Sequence, residues 1–183
     1  TAALKDLMMA LGSPHMDCRQ EGVKTGGGPR CSYLFNTTIA GIERADFCLL
    51  IGTNPRWEAP LINARIRKNY LFTGLPVALI GHFHEQGYPV DHLGNDPLLL
   101  EKIMKGKHPI CAALKAAKNP MMIVGQGALK REDGDVILGL ARQIADKYEF
   151  VHKTKSQNFE HWNGFNVLQT VASRVGGLDL GFL

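Results

Sequence analysis

Three times in this chain an apolar run that does not alternate is closed by a glycine. Phe47-Cys-Leu-Leu-Ile51 stops at Gly52, Pro76-Val-Ala-Leu-Ile80 at Gly81, and Met121-Met-Ile-Val124 at Gly125. A strand with one wet face alternates apolar and polar residues, so unbroken runs fit parallel strands buried on both faces. Helix-period segments separate them. Ile62, Ile66 and Tyr70 mark one face of a helix ending near Gly74, and Asp96-Pro97 starts a second that stops at Gly106. His108-Pro109 starts a third, through Leu114 to Lys118. Strands alternating with helices predict an α/β fold, a layered Rossmann-like domain with a small parallel sheet and right-handed crossovers. The 183 residues suit a single domain over 1–183.

The flanks are less regular. Leu4, Leu7, Met8 and Leu11 predict an amphipathic helix over Ala2–Leu11, which Gly12-Ser-Pro14 ends. Met16–Ser32 reads as a glycine-rich loop with a short strand around Cys18, and Asn36 or Thr37 as the cap of one or two helical turns over Thr38–Arg44. Glu132–Tyr148 is the clearest helix, with a stripe of Ile137, Leu140, Ala141, Ile144 and Tyr148. His152–Asn163 reads as polar loop. A final helix over Gly164–Leu178 is expected from Leu168, Val171, Ala172 and Val175, broken by Gly176-Gly177. The chain begins without methionine and stops directly after that helix, as expected of a piece of a longer polypeptide.

The net charge of +4 comes from scattered residues, with no aromatic-basic stripe, so no nucleic-acid partner is expected. Arg65, Arg67 and Lys68 form the densest cationic group, either a solvated helix face or, given a partner, a contact surface. Cys18, Cys31, Cys48 and Cys111 lie far apart and read as reduced thiols rather than zinc or cluster ligands. No run approaches the length of a membrane span, and the first residues are a mixed helix rather than a signal peptide. A cytosol-like compartment follows, with membrane association only through partners. Asn36-Thr-Thr38 matches a glycosylation acceptor but is better read as capping material.

In parallel sheets ligands bind beyond the carboxyl ends of the strands, where Gly52, Gly81 and Gly125 fall. After Gly52, Pro55 and Pro60 stiffen the exit from a turn able to hold a ligand. Gly125-Gln-Gly127 invites a dinucleotide reading, but Lys130 stands where the fingerprint needs its third glycine, so a plain glycine turn is the reading. Lys24-Thr-Gly-Gly-Gly28 has phosphate-loop composition without the spacing. His82 and His84, with Asp91 and His92 downstream, are possible metal ligands that lack a third partner at recognised spacing. No nucleophile elbow or carboxylate couple stands out, so no catalytic and no metal residue is assigned.

Several stretches carry a resemblance: Asn36-Thr-Thr-Ile-Ala-Gly-Ile-Glu43, Ala45-Asp46, Leu49–Lys68 (LLIGTNPRWEAPLINARIRK), Val77–Gly81, Asp91-His-Leu-Gly94 and Leu178-Asp-Leu-Gly181. In this order, over nearly the whole chain, they resemble the large iron-sulfur subunit of NADH:quinone oxidoreductase, respiratory complex I, known in bacteria as its G subunit. The matching region is its C-terminal part, itself similar to molybdopterin-dependent oxidoreductases. The resemblance implies a non-catalytic structural domain supporting electron transfer from NADH to quinone in the peripheral arm. It further implies iron-sulfur clusters in the N-terminal part of the parent subunit, and as partners that part and the other complex I subunits. Its place would be peripheral, on the cytoplasmic face of the bacterial inner membrane or the mitochondrial matrix side. Gly52, Thr53, Asn54 and Pro55 match a molybdopterin-enzyme loop whose next proline follows a histidine; here Ala59 precedes Pro60. These four residues are expected to be a vestigial pterin loop, with no cofactor in this region. The alternative is a molybdopterin- or nucleotide-binding oxidoreductase domain with its ligand across the strand ends.

Overall fold

The computed structural model describes residues 1–19, 21–25, 28–153 and 161–183. All three predicted strands form: β1 (Phe47–Ile51), β2 (Val77–Ile80) and β4 (Pro120–Val124). β1 lies between the other two in parallel, with Ile51 opposite both Ile80 and Val124. Along β1, Phe47, Leu49 and Ile51 pack into one apolar cluster and Cys48 and Leu50 into the other. Both faces are covered, which is why the run does not alternate.

Two further strands extend the sheet. β3 (Asp91–Gly94) lies in the segment read as irregular or partly extended, and β7 (Phe165–Val167) corrects the expected helix over Gly164–Leu178. The five strands run in the order β3-β2-β1-β4-β7, all parallel. Asn166 explains why β7 is a strand: its fully buried amide donates to the Met122 and Gly164 carbonyls and to Thr37 Oγ1, and accepts from Thr37 N–H. The apolar spacing that suggested a helix leaves Val171 exposed. Only α8 (Arg174–Asp179) is helical there, and the glycine pair lies inside it. His152–Asn163 also departs from a plain loop, since β5 (Val151–Lys153) and β6 (His161–Asn163) pair antiparallel, while 154–160 lie outside the described residues.

One face of the sheet is covered by α4 (Leu98–Met104), α5 (Cys111–Ala116) and α7 (Gly134–Lys147). Ile137, Leu138, Ala141, Ile144 and Ala145 form the buried stripe of α7, with Leu140 half-buried beside it. α3 (Pro60–Thr73) covers the other face through Ile62 and Ile66, and Gly74 closes it in the left-handed conformation. Asn69 of α3 donates to the Ile42 and Ala45 carbonyls, fastening the 3-10 turn Gly41–Arg44 to the helix. That turn is not capped by Asn36 or Thr37 as expected. Asn36 donates to the Cys31 and Phe165 carbonyls instead, and Thr38 Oγ1 receives Gly41 N–H. α1 (Ala2–Ala10) forms as predicted but buries none of its residues. Among the described residues no strand forms around Cys18. Of Thr25–Gly28, Gly26 and Gly27 lie outside the described residues.

Candidate functional site

The strand order places a topological switch point at β1: its neighbours β2 and β4 are reached by connections that leave in opposite directions. The turn after β1 and the single-turn helix α6 (Gln126–Leu129) after β4 meet there. Gly52 adopts φ +55°. A Cβ on it would lie 2.5 Å from Ala128 N, and one on Gly125 would lie 2.3 Å from Thr53 Cβ. These glycines do give close approach, but to each other's loops. With α6 only four residues long and Lys130 exposed at its end, β4 does not feed the long helix that a dinucleotide fingerprint requires.

Several polar groups of the β1 turn are also engaged. Pro55 opens α2 (Pro55–Glu58), and the first turn of a helix leaves backbone N–H groups seeking acceptors. Glu58 supplies one from within. Asn54 N–H donates to Glu58 Oε1 at 2.6 Å and the Thr53 hydroxyl to Oε2 at 3.1 Å. Asn54 Oδ1 accepts from Gln86 Nε2 at 3.1 Å, and the Gln86 carbonyl accepts from Asn63 Nδ2. Tyr88 OH donates to Asn63 Oδ1, and burial pushes its phenol above the ordinary value. The four residues expected as a pterin loop form the turn after β1, with Thr53, Asn54 and Pro55 buried.

This turn forms one wall of a cleft of about 390 Å³ that opens between β1, β2 and α4, with Gly52, Thr53 and Asn54 on one side and Glu58, His82, His84, Asn95 and Arg131 around it. The His82 and His84 rings stack edge to face with centroids 5.0 Å apart. His92 turns away, its Nε2 within hydrogen-bond distance of the Gly81 carbonyl at 2.8 Å and Asn95 Oδ1 at 3.1 Å. Among the described residues no group of three His, Cys, Asp or Glu side chains could hold a metal ion. Arg131 is held side-on by Asp133, at 2.6 and 2.9 Å, and this guanidinium keeps the Asp133 carboxyl below the usual carboxylate range. Sequence reasoning missed Glu58 and Gln86. An acid in the first turn behind Pro55 is the signal that points to Glu58; Gln86 sits in an irregular segment and leaves none.

A family model of molybdopterin oxidoreductases matches residues 1–183. The chain belongs to the molybdopterin oxidoreductase family. Within it, the chain is similar to proteins named as the G subunit of NADH-quinone oxidoreductase. It is 46% identical over 179 residues to that of Rickettsia conorii, a match that covers 98% of this chain and 26% of the relative. To that of Rickettsia prowazekii it is 44% identical, with the same coverage. The chain thus spans about a quarter of the length of the curated relatives it matches. The family's fold and the five-stranded parallel sheet agree with the predicted α/β architecture. Among the described residues no helix is long and apolar enough to cross a membrane.

Proposed function

We propose that this chain is a structural domain of the large iron-sulfur subunit of an NADH:quinone oxidoreductase, with no active site of its own. The observation that carries this reading is that the turn after β1 presents the Glu58 carboxylate, which already takes the Thr53 hydroxyl and the Asn54 N–H. A pterin cofactor bears phosphate, which needs free donors and backbone room at such a turn. Here the Thr53 hydroxyl and the Asn54 N–H serve the Glu58 carboxylate, whose charge opposes a second anion, and Ala128 packs against Gly52 where a Cβ would lie. The residues present do not fit a pterin phosphate at this position. Similarity to the Rickettsia proteins supports membership in the peripheral arm, where electrons pass from NADH to quinone through clusters held elsewhere in the polypeptide. Its partners would be the N-terminal part of the same subunit and neighbouring subunits. Its place would be on the cytoplasmic face of the inner membrane or the equivalent matrix side.

Two measurements on the intact protein test this reading. Tagged protein from its native host is expected to co-purify with other NADH-quinone oxidoreductase subunits. It is also expected to contain no molybdenum by elemental analysis and no pterin fluorescence after acid extraction. Stoichiometric molybdenum or pterin, lost in Asn54→Ala, would overturn the structural reading in favour of a cofactor-binding domain.

A further inference from the structure

Three arginines of this chain hold a carboxylate in the same way. Arg19 grips Asp17, Arg30 grips Asp179 and Arg131 grips Asp133, each through Nε and Nη2, one nitrogen to each carboxylate oxygen, at 2.6 to 2.9 Å. That side of a guanidinium presents two parallel N–H groups at the spacing of a carboxylate's oxygens. Arg142, on α7, keeps the same two nitrogens buried and without a partner among the described residues. A buried cation costs stability unless a charge opposes it, and water can accept its hydrogen bonds but cannot supply the charge.

The surroundings of Arg142 form a receptacle. With Ser32, of the 3-10 turn Arg30–Ser32, it lines a cavity of about 230 Å³ beside the start of β7, apart from the cleft at the β1 turn. Ser32 is 6% exposed, and its hydroxyl too has no partner among the described residues. Both groups surround one point. A Cβ on Gly28 would lie 2.9 Å from Ser32 Oγ and 3.7 Å from Arg142 Nη2, so the glycine keeps space beside both donors. Asp146 also lines the cavity, but its carboxylate does not meet those two nitrogens. Its charge offsets part of the guanidinium's, which favours a ligand with one negative charge over a dianionic phosphate. Val151 and Phe165 make part of the wall apolar, as a short carbon chain requires. We propose that this cavity binds a small monocarboxylate, its two oxygens on Nε and Nη2 of Arg142 and the Ser32 hydroxyl donating to one of them. The inference does not depend on the subunit reading above.

The test uses the intact polypeptide in a buffer without carboxylate or phosphate. By titration calorimetry, butyrate is expected to bind at one site and butyramide, its uncharged counterpart, not to bind. Inorganic phosphate is expected to bind more weakly than butyrate. Arg142→Met is expected to weaken butyrate binding by about tenfold or more, as the loss of charge-assisted hydrogen bonds does, and Arg142→Lys to weaken it less. Ser32→Ala removes one donor and Gly28→Ala narrows the space, and each is expected to cost about threefold or more. Arg67→Met, on α3, is expected to leave binding unchanged. Without ligand, Arg142→Met is expected to match or exceed the parent's urea midpoint, because it removes a buried charge that no described residue opposes. A lower midpoint would show that the guanidinium already has its counter-charge within the polypeptide, and would overturn the inference. So would the absence of butyrate binding, or binding that Arg142→Met leaves unchanged. Phosphate binding more tightly than butyrate at Arg142 would overturn the assignment of a monocarboxylate.

Discussion

At the level of single residues, Asn166 shows how a polar side chain can specify a strand that its neighbours do not. Its amide is wholly buried and joins three chain segments: Thr37 before β1, Met122 in β4 and Gly164 before β7. Replacing it by leucine keeps the volume but leaves a buried N–H and buried carbonyls without their partner. Each such group costs about 1–3 kcal/mol. Asn166→Leu is expected to destabilise the fold by about 3 kcal/mol, measured by urea unfolding, because some carbonyls keep a second partner in the sheet. A change below about 0.5 kcal/mol, the range of ordinary surface substitutions, would show that the amide does not hold the strand.

Among the elements, two glycines make opposite predictions. Gly125 ends β4 where a Cβ would meet Thr53 Cβ at 2.3 Å and the Gly52 carbonyl oxygen at 2.7 Å. Gly125→Ala must push the two loops apart and is expected to cost about 1–3 kcal/mol, in the range of overpacked cores. Gly139 lies inside α7 with nothing within 4 Å of its Cβ position. Gly139→Ala is expected to stabilise by about 0.5–1 kcal/mol through helix propensity alone. Both are read from urea midpoints, and equal effects would contradict the contact geometry. The same elements show what the residues disclosed in advance. β1, β2 and β4 were legible because burial on both faces leaves an unbroken apolar run, and α7 because its stripe faces one side only. β3 was not, since Asp91-His-Leu-Gly94 is short and on the sheet's edge. β7 was misread because its strand character rests on Asn166, a long-range hydrogen-bonding decision that local periodicity cannot carry. The β1 turn was recognisable as a ligand-type turn from Gly52 to Pro55, yet its close packing depends on Ala128, distant in sequence, and on strand order, which no run of residues encodes.

Across the whole molecule, the apolar sheet and the charged seam closing the chain's two ends answer acid differently. The seam joins Glu21, Arg30 and Tyr33 to α8. Arg174 is buried and paired with Glu21, while Arg30 grips Asp179 with two bonds of 2.9 Å and Tyr33 adds a third at 2.8 Å. Hydrogen bonding from Arg174 holds the Glu21 carboxyl below its ordinary value, and Arg30, then Tyr33, does the same for Asp179. Upstream of Glu21, Arg19 brings Asp17 down to about 2. A carboxylate whose folded pKa is lowered contributes stability that is fully present above its unfolded value near about 4 and is lost as pH falls through the folded value. Protonating Glu21 also leaves the buried Arg174 guanidinium without its counter-charge. β1, β2 and β4 contain no Asp, Glu, His, Lys or Arg and have no such dependence on acid. Amide hydrogen exchange, corrected for intrinsic rates, is therefore expected to lose protection in α8 progressively as pH falls below about 4 while the three central strands stay protected. Glu21→Gln is expected to reproduce part of that loss at neutral pH. Simultaneous loss from α8 and the strands would show instead that the seam and the sheet unfold as one cooperative unit.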